Sequence, residues 1–473
     1  MMMTDFSSDQ DLHTFLSAYE SAYPDDVLTI ADEVSAFQDV TSIVWELAAA
    51  GRHEMLRFPH VAGVGREVVT NMFASRRRIA RFLGVEEGSL HDEFQRRASN
   101  LLSPREVSDA PVLDDVQEGE TVDLPAFPLM THFETDRAPY ITSGIVVAED
   151  QDGVGNLSYH RAMVHSRNEL ATSLHSRGDL WRLLQAAQER EEKLPVAMVL
   201  GGHPLFMLGA SARVPMAVDE RQVAGGLFGS PLEVVKTPKY GIAVPATAEF
   251  VFEGFIDPTA SAEEGPFGEF TGYSSDRTTN NVLRVETILR RSDALLLDVV
   301  GGNSTEHLNL GRIPRESEMA DKLKSRFPSV VALHYPTSGT HFHCYVQVKQ
   351  RRAGEARQIM VGLLGWDPYL KTVIAVDEDV DVTDDAAVLW ALATHFQPAE
   401  DLFVVDGLPG SPLDPSSSLA GTTSRLALDA TRGPDFTSVR IDLSEESMNR
   451  ARQIVDGLRP ASPNERTEQH DKE

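Results

Sequence analysis

The stretch Glu264-Gly-Pro-Phe-Gly-Glu269, running on into Phe270-Thr-Gly-Tyr273, sets two carboxylates five residues apart around a Gly-Pro-Phe-Gly core. Pro266 has a fixed φ and no N–H, while Gly265 and Gly268 accept backbone angles that other residues avoid. A helix is therefore disfavoured and a tight loop is predicted, with Phe267 as its apolar anchor and both acids on one rigid piece of backbone. Two acids held close together in a partly dry loop do not ionise equally, because one charge raises the pKa of its neighbour. Such a pair supplies an orienting base and a proton donor. The plain alternative is a surface loop with two solvated acids, and the residues upstream bear on that choice.

Upstream lies Gly155-Asn-Leu-Ser-Tyr-His-Arg161, a short extended piece behind the turn-like Asp150-Gln-Asp-Gly153. An Asn carbonyl is a hard oxygen ligand, and an Arg fork is the best side-chain match to a carboxylate or phosphate. In a strand, positions 156 and 161 face opposite sides, so one could meet a cofactor's phosphate and the other its reactive ring. Leu174-His175-Ser-Arg177 precedes a helix at Leu180, and Val218-Asp-Glu220 leads into the small-residue helix start Ala224-Gly-Gly226. Asn156, His175 and Glu220 form a mixed O/N set suited to Mn²⁺ or Mg²⁺ more than to zinc. Each also has a plain reading: a surface turn, a hydrogen-bonded structural His, and an acid favoured by a helix N-terminus. Periodicity does not bring the three together. Asp377-Glu-Asp-Val-Asp381 lacks the Gly and closing Glu of a calcium loop, and Gly201-Gly-His-Pro204 lacks the Lys-Ser/Thr of a P-loop. Gly407–Pro415 reads as a long ordered loop, either a connector or a lid.

At 473 residues the chain is too long for one ordinary core, which predicts two or three domains. With 43 Lys and Arg against 72 Asp and Glu, the net charge of −29 argues against nucleic acid or an anionic membrane as partner. No apolar run is long enough to span a bilayer, and the first residues lack a secretory pattern, so the cytosol is the expected compartment. The one cysteine, Cys344, excludes an internal disulfide; its alternating surroundings predict a buried strand thiol.

Residues 1–110 read as helix-rich, with helices over Asp11–Tyr19 and Glu67–Phe82 and with Arg76-Arg-Arg78 on a solvated face. From 111 to 318, Val-, Ile- and Thr-rich segments dominate: Tyr140–Val147, Val196–Leu200, Tyr240–Val244, Ala248–Phe255 and Val282–Leu289. They predict an antiparallel barrel with helical insertions such as Leu180–Arg190. From 319 to 456, strands at Thr340–Val348, Lys371–Val376 and Asp401–Val405 alternate with helices at Glu355–Leu364 and Asp384–His395, as in βαβ units. Residues 457–473 form a polar tail.

Taken together and in order, these motifs resemble the UbiD family of reversible decarboxylases that use prenylated FMN. The resemblance rests on Asn156…Arg161, His175, Glu220, the loop 264–269, Lys371-Thr-Val-Ile-Ala-Val-Asp-Glu-Asp-Val-Asp381, Leu413-Asp-Pro-Ser416 and Leu428-Asp-Ala-Thr431. It implies a multidomain α+β and α/β fold: an N-terminal α/β region, a split β-barrel flavin-binding domain and a C-terminal α/β oligomerisation domain. It places the catalytic set on Arg161, Glu264 and Glu269, and Mn²⁺ (or Mg²⁺) on Asn156, His175 and Glu220. It places K⁺ (or Na⁺) against Glu220 and carbonyls near Ala210 and Ala212, and makes Lys371 a phosphate contact. Ser158, Tyr159, His160 and Leu174 would also meet the flavin.

Leu174 stands where some members carry Gln, which implies a more apolar pocket; His307, Asn309 and Arg312 are the further pocket candidates. The implied substrate is an unsaturated aromatic or heteroaromatic acid of pyrrole, indole or phenazine type. The implied partners are that small acid and a flavin prenyltransferase as cofactor supplier, with no nucleic acid and no membrane; the assembly is a homodimer or a hexamer. Two rivals share some of these features: a split-barrel reductase using ordinary FMN, and a non-catalytic cofactor-binding subunit.

Overall fold

The computed structural model describes residues 5–458 apart from 175–177, 276–278, 350 and 418–420. It comprises two compact units, Met1–Thr431 and Arg432–Glu473. The second contains the helix Glu445–Leu458. The first contains every residue assigned above to chemistry. Among the described residues no helix is long and apolar enough to cross a membrane.

The N-terminal part joins four α-helices, Leu12–Ala22, Asp39–Ala49, Arg76–Phe82 and Leu90–Ala98, to a four-stranded sheet. That sheet has the order Val27–Thr29, Met55–Phe58, Val68–Thr70, Leu296–Leu297. The helix expected over Glu67–Phe82 is corrected: its first part is the fully buried strand Val68–Thr70, and the helix starts only after Ser75, whose side chain caps it. β-Branched Val-Val-Thr favours a pleated, buried position, and this outweighs the helical spacing. Of the arginine cluster only Arg77 is exposed. Arg78 is fully buried and bonded to Asp26 and to the carbonyls of Asn71 and His53, while Arg76 pairs with buried Glu316.

The central sheet has nine strands. Along its main path the order is Gly155–Tyr159, Ile145–Glu149, Leu194–Leu200, Phe250–Ile256, Asn281–Arg290, Glu169–Thr172, Ala162–Ser166, Tyr140–Ile141, and Asp115–Glu118 pairs separately with Asn281–Arg290. All these neighbours are antiparallel. Side chains alternate between two cores: Val147, Ala197 and Val199 enter one, and Val146, Val196 and Met198 the other. Burial of such a side chain contributes about 1.5–3 kcal/mol, and both faces are covered, so Phe250–Ile256 is buried throughout.

The order of this sheet fixes the position of one residue. Gly155–Tyr159 begins the path and Ala162–Ser166 is its last strand but one, yet only His160 and Arg161 separate them in sequence. The three residue steps from Tyr159 to Ala162 span at most about 11 Å, so the sheet curls into a half-barrel that brings these two strands together. Arg161 sits at that seam. The expected strand at Tyr240–Val244 is not part of this sheet; Ala243–Pro245 pairs with Glu233–Lys236 in a separate three-stranded sheet.

The C-terminal part is a five-stranded mixed sheet of order Val330–His334, His343–Val348, Thr372–Asp377, Thr422–Ala430, Leu402–Pro409. Its parallel pairs are bridged by helices at Glu355–Trp366 and Asp385–His395, close to the predicted alternation. Cys344 is fully buried within it, as its surroundings predict.

Candidate active site

Arg161 binds both acids of the 264–269 loop. Its Nε and Nη2 donate to the two oxygens of Glu264 at 2.8 and 3.0 Å, and Nη1 donates to Glu269 Oε1. Glu264 and Glu269 are buried, at 4% and 6% exposure, so these are charge-assisted bonds in a poorly solvated place. The Phe267 ring lies under the guanidinium, its centroid 4.7 Å from Cζ. Burial works against the Arg161 charge, but Glu269 and Glu264 outweigh it and hold the pKa above the ordinary guanidinium value. Burial likewise pushes Glu269 above the ordinary carboxyl value, and Arg161 offsets only part of that. One acid is thus tied at both oxygens, while the other is nearer to holding a proton.

The loop is held from several sides. Gly265 has φ 87° and the peptide to Pro266 is cis. The Gly265 N–H donates to the Tyr140 hydroxyl at 3.0 Å, and the Tyr140 and Phe267 rings lie 4.6 Å apart. Burial first, and then Glu264, raise the Tyr140 pKa above that of a free phenol. Gly268 is required by a close approach: a Cβ there would stand 2.3 Å from Phe133. Tyr140→Phe strands the buried Gly265 N–H, so we expect about 1–3 kcal/mol lower stability and a roughly tenfold lower turnover, read by thermal melts and CO₂ release. A variant unchanged in both would remove Tyr140 from the support of the loop.

Two cavities of about 430 Å³ each adjoin, sharing Tyr159 and Pro412 in their walls. The reactive one is lined by Arg161, Glu269, His160, Leu174 and His307. Glu264 is not among its lining residues; it stands behind Arg161. The second cavity is lined by Asn156, Ser158, Ala210, Ala212 and Glu220, with Arg182 and Arg213 also in its wall. Asp219 caps the helix Glu220–Phe228 and so points Glu220 from its first position. Glu220 accepts from Leu157 N–H at 2.9 Å and stands 3.5 Å from Asn156 Nδ2. Burial pushes its carboxyl up to about 7, despite that N–H. A hard carbonyl oxygen and a buried carboxyl short of positive charge, side by side in one cavity wall, suit a hard divalent cation.

The remaining sequence candidates are placed as follows. His175 lies outside the described residues, and among the described ones no group of three His, Cys, Asp or Glu could hold a metal. Lys371 pairs with Asp414 at 2.7 Å and donates to Ser416 Oγ at 2.7 Å, and it is not among the lining residues of either cavity. Asn309 and Arg312 are turned away from the pocket assigned to them. Asn309 Nδ2 donates to the Phe73 carbonyl and its Oδ1 accepts from Arg312, which also donates to the Tyr335 carbonyl. They share a helix, Thr305–Arg326, with His307, but helical geometry puts residues two and five places on at other angles. Sequence reasoning missed Tyr140, Thr142 and Arg213, which carry no motif.

The curled β-sheet thus presents an arginine between two buried acids beside two adjoining cavities. Three family models match in order: the 3-octaprenyl-4-hydroxybenzoate carboxy-lyase N-terminal domain at residues 22–98, the Rift-related domain at 105–304 and the C-terminal domain at 308–430. The chain belongs to this family, UbiD, and is a carboxy-lyase of that class. It is 32% identical over 401 residues to the anhydromevalonate phosphate decarboxylase of Aeropyrum pernix, covering 84% of this chain and 88% of that one. Among solved structures it resembles the UbiD-class enzyme HmfF from Pelotomaculum thermopropionicum in complex with FMN, with TM-score 0.86, 29% identity and coverage of 92% and 98%. An evolved dimeric form of HmfF in complex with prFMN matches with TM-score 0.82, 27% identity and coverage of 93% and 100%.

Proposed function

We propose that this protein is a reversible, prenylated-FMN-dependent decarboxylase of an unsaturated aromatic or heteroaromatic acid of pyrrole, indole or phenazine type. The observation that carries the reading is one guanidinium, lining a cavity, bonded to two buried acids, of which burial raises the pKa of Glu269. Arg161 pairs with the substrate carboxylate and orients it. Glu264 keeps both oxygens on Arg161 and holds the fork in place. Glu269 returns a proton to the carbon from which CO₂ has left, and Leu174, Phe267 and Leu413 give the ring an apolar surface. The modified flavin, when bound, supplies the electron sink that no side chain offers.

Asn156, His175 and Glu220 would hold Mn²⁺ (or Mg²⁺), and Glu220 with the Ala210 and Ala212 region would hold K⁺ (or Na⁺). A flavin prenyltransferase would supply the cofactor, and a cytosolic homodimer is the expected form. Protein coexpressed with that prenyltransferase should show flavin absorbance and bound manganese, and Glu220→Gln should lose at least about tenfold in metal content. Active protein that is colourless and metal-free would refute this.

A second substrate reading comes from the Aeropyrum relative, whose name describes a phosphorylated acid. Among the described residues Arg161 is the one Lys or Arg lining the reactive cavity. Pyrrole-, indole- and phenazine-carboxylates should be assayed beside anhydromevalonate phosphate for CO₂ release and solvent deuterium at the ring carbon. Turnover of the phosphate ester alone would move the assignment to the second reading.

A further inference from the structure

Several neutral polar groups of the reactive cavity have their hydrogens committed elsewhere. Thr142 lines this cavity with Arg161 and Glu269, and its Oγ1 donates to Asp298 Oδ1 at 2.9 Å. Asp298 is buried; the Thr70 hydroxyl stands 3.5 Å from its Oδ2 and 3.2 Å from Glu306 Oε2, and His132 Nε2 lies 3.3 Å from Oδ1. His132 is itself buried, with Nδ1 2.9 Å from Thr41 Oγ1. A carboxylate so surrounded accepts, so the one hydroxyl hydrogen of Thr142 is used on it and the oxygen lone pairs remain.

His307, on the same cavity, repeats the pattern. Its Nδ1 is 2.8 Å from the Gly302 carbonyl, which cannot donate, so Nδ1 carries the hydrogen. Burial lowers the ring's pKa and keeps it neutral, which makes Nε2 an acceptor. Thr279 likewise spends its hydroxyl hydrogen on Asn281 Oδ1 at 2.6 Å. The strong donor of the cavity, Arg161, is taken by the substrate carboxylate.

We propose that Thr142, its hydroxyl aimed by Asp298, selects substrates whose ring carries an N–H donor over oxygen isosteres that lack one. This rests on the decarboxylase reading of the cavity and narrows its substrate class. A cavity wall of acceptors leaves an unpaired lone pair when the ligand offers only another acceptor, and sites built for a donor discriminate strongly on that ground.

The test compares pyrrole-2-carboxylate with furan-2-carboxylate, which match in shape and differ in N–H against O. Binding is measured by calorimetry on the full chain loaded with ordinary FMN, and kcat/KM on protein loaded with the prenylated cofactor. The wild type should bind the pyrrole acid at least about tenfold more tightly. Thr142→Val should abolish the preference while leaving furan-2-carboxylate within about threefold, and Thr142→Ser should restore it. Asp298→Asn should lower the preference and keep furan affinity; an unchanged ratio would remove Asp298 from this positioning role. A wild type without preference, or a Thr142→Val loss equal for both acids, overturns the proposal. A protein that binds neither acid overturns it together with the heteroaromatic reading. N–H preference in binding without any CO₂ release would keep the role of Thr142 and sink the decarboxylase reading instead.

Discussion

Arg161→Ala protein should fold and release no CO₂ above background, a loss of roughly 10³-fold or more in kcat/KM. The substrate loses its charge-assisted partner and its orientation together, and lysine would not restore the two-edged geometry. The change also leaves Glu264 and Glu269 buried without a counter-charge. Breaking a buried pair in this way costs about 3–5 kcal/mol unless the acids take up protons. Burial already raises the Glu269 carboxyl and the substitution removes the arginine that offsets this, so stability of the variant should fall as pH rises from 5 to 8. Circular dichroism melts at the two pH values and a CO₂ assay decide the matter. Near-normal turnover would end the mechanism.

Glu269→Gln should lower kcat by about 10²–10⁴-fold and leave KM nearly unchanged, since glutamine fills the same space but has no proton to give. The pH dependence carries a second signature. Burial raises the folded-state pKa of Glu269 above its ordinary value of 4.5. A raised carboxyl contributes stability that is complete below 4.5 and is lost as pH climbs through the folded value. The wild-type rate should fall along the same limb, because the acid must be protonated to act. In the glutamine variant both slopes should flatten. A variant with the wild-type rate and profile would exclude Glu269 as the donor.

Much of this was legible from local chemistry. The Gly-Pro-Phe-Gly core opposes a helix and keeps its two flanking acids on one short piece of backbone, within which Phe267–Gly268 is a short strand paired with Ser274–Ser275. The Val-, Ile- and aromatic-rich segments Val196–Leu200 and Ala248–Phe255 likewise named strands that the fold uses, at Leu194–Leu200 and Phe250–Ile256. What could not be read is whatever long-range packing decides. Nothing local tells that Val68–Thr70 pairs with Leu296–Leu297, more than two hundred residues away, and so is not helical. Arg78 looked solvated because its partner, Asp26, lies fifty-two residues earlier. Tyr140 and Thr142 acquire meaning only when the sheet curls and brings the seam at 160–161 beside the acid loop. Asn309 and Arg312 failed for a related reason: proximity in sequence to His307 says nothing about which way a helix is rotated.

The divided grip of Arg161 has one more consequence. The guanidinium edge that Glu269 holds is the edge that an incoming anion would need. An arriving acid evicts Glu269 from its cation and adds negative charge beside it, so Glu269 would draw a proton from solvent as the substrate docks. Losing CO₂ from a carboxylate and ending with a carbon–hydrogen bond consumes one proton per turnover. The reactant would thus strengthen, as it docks, the acid's hold on the proton it later needs.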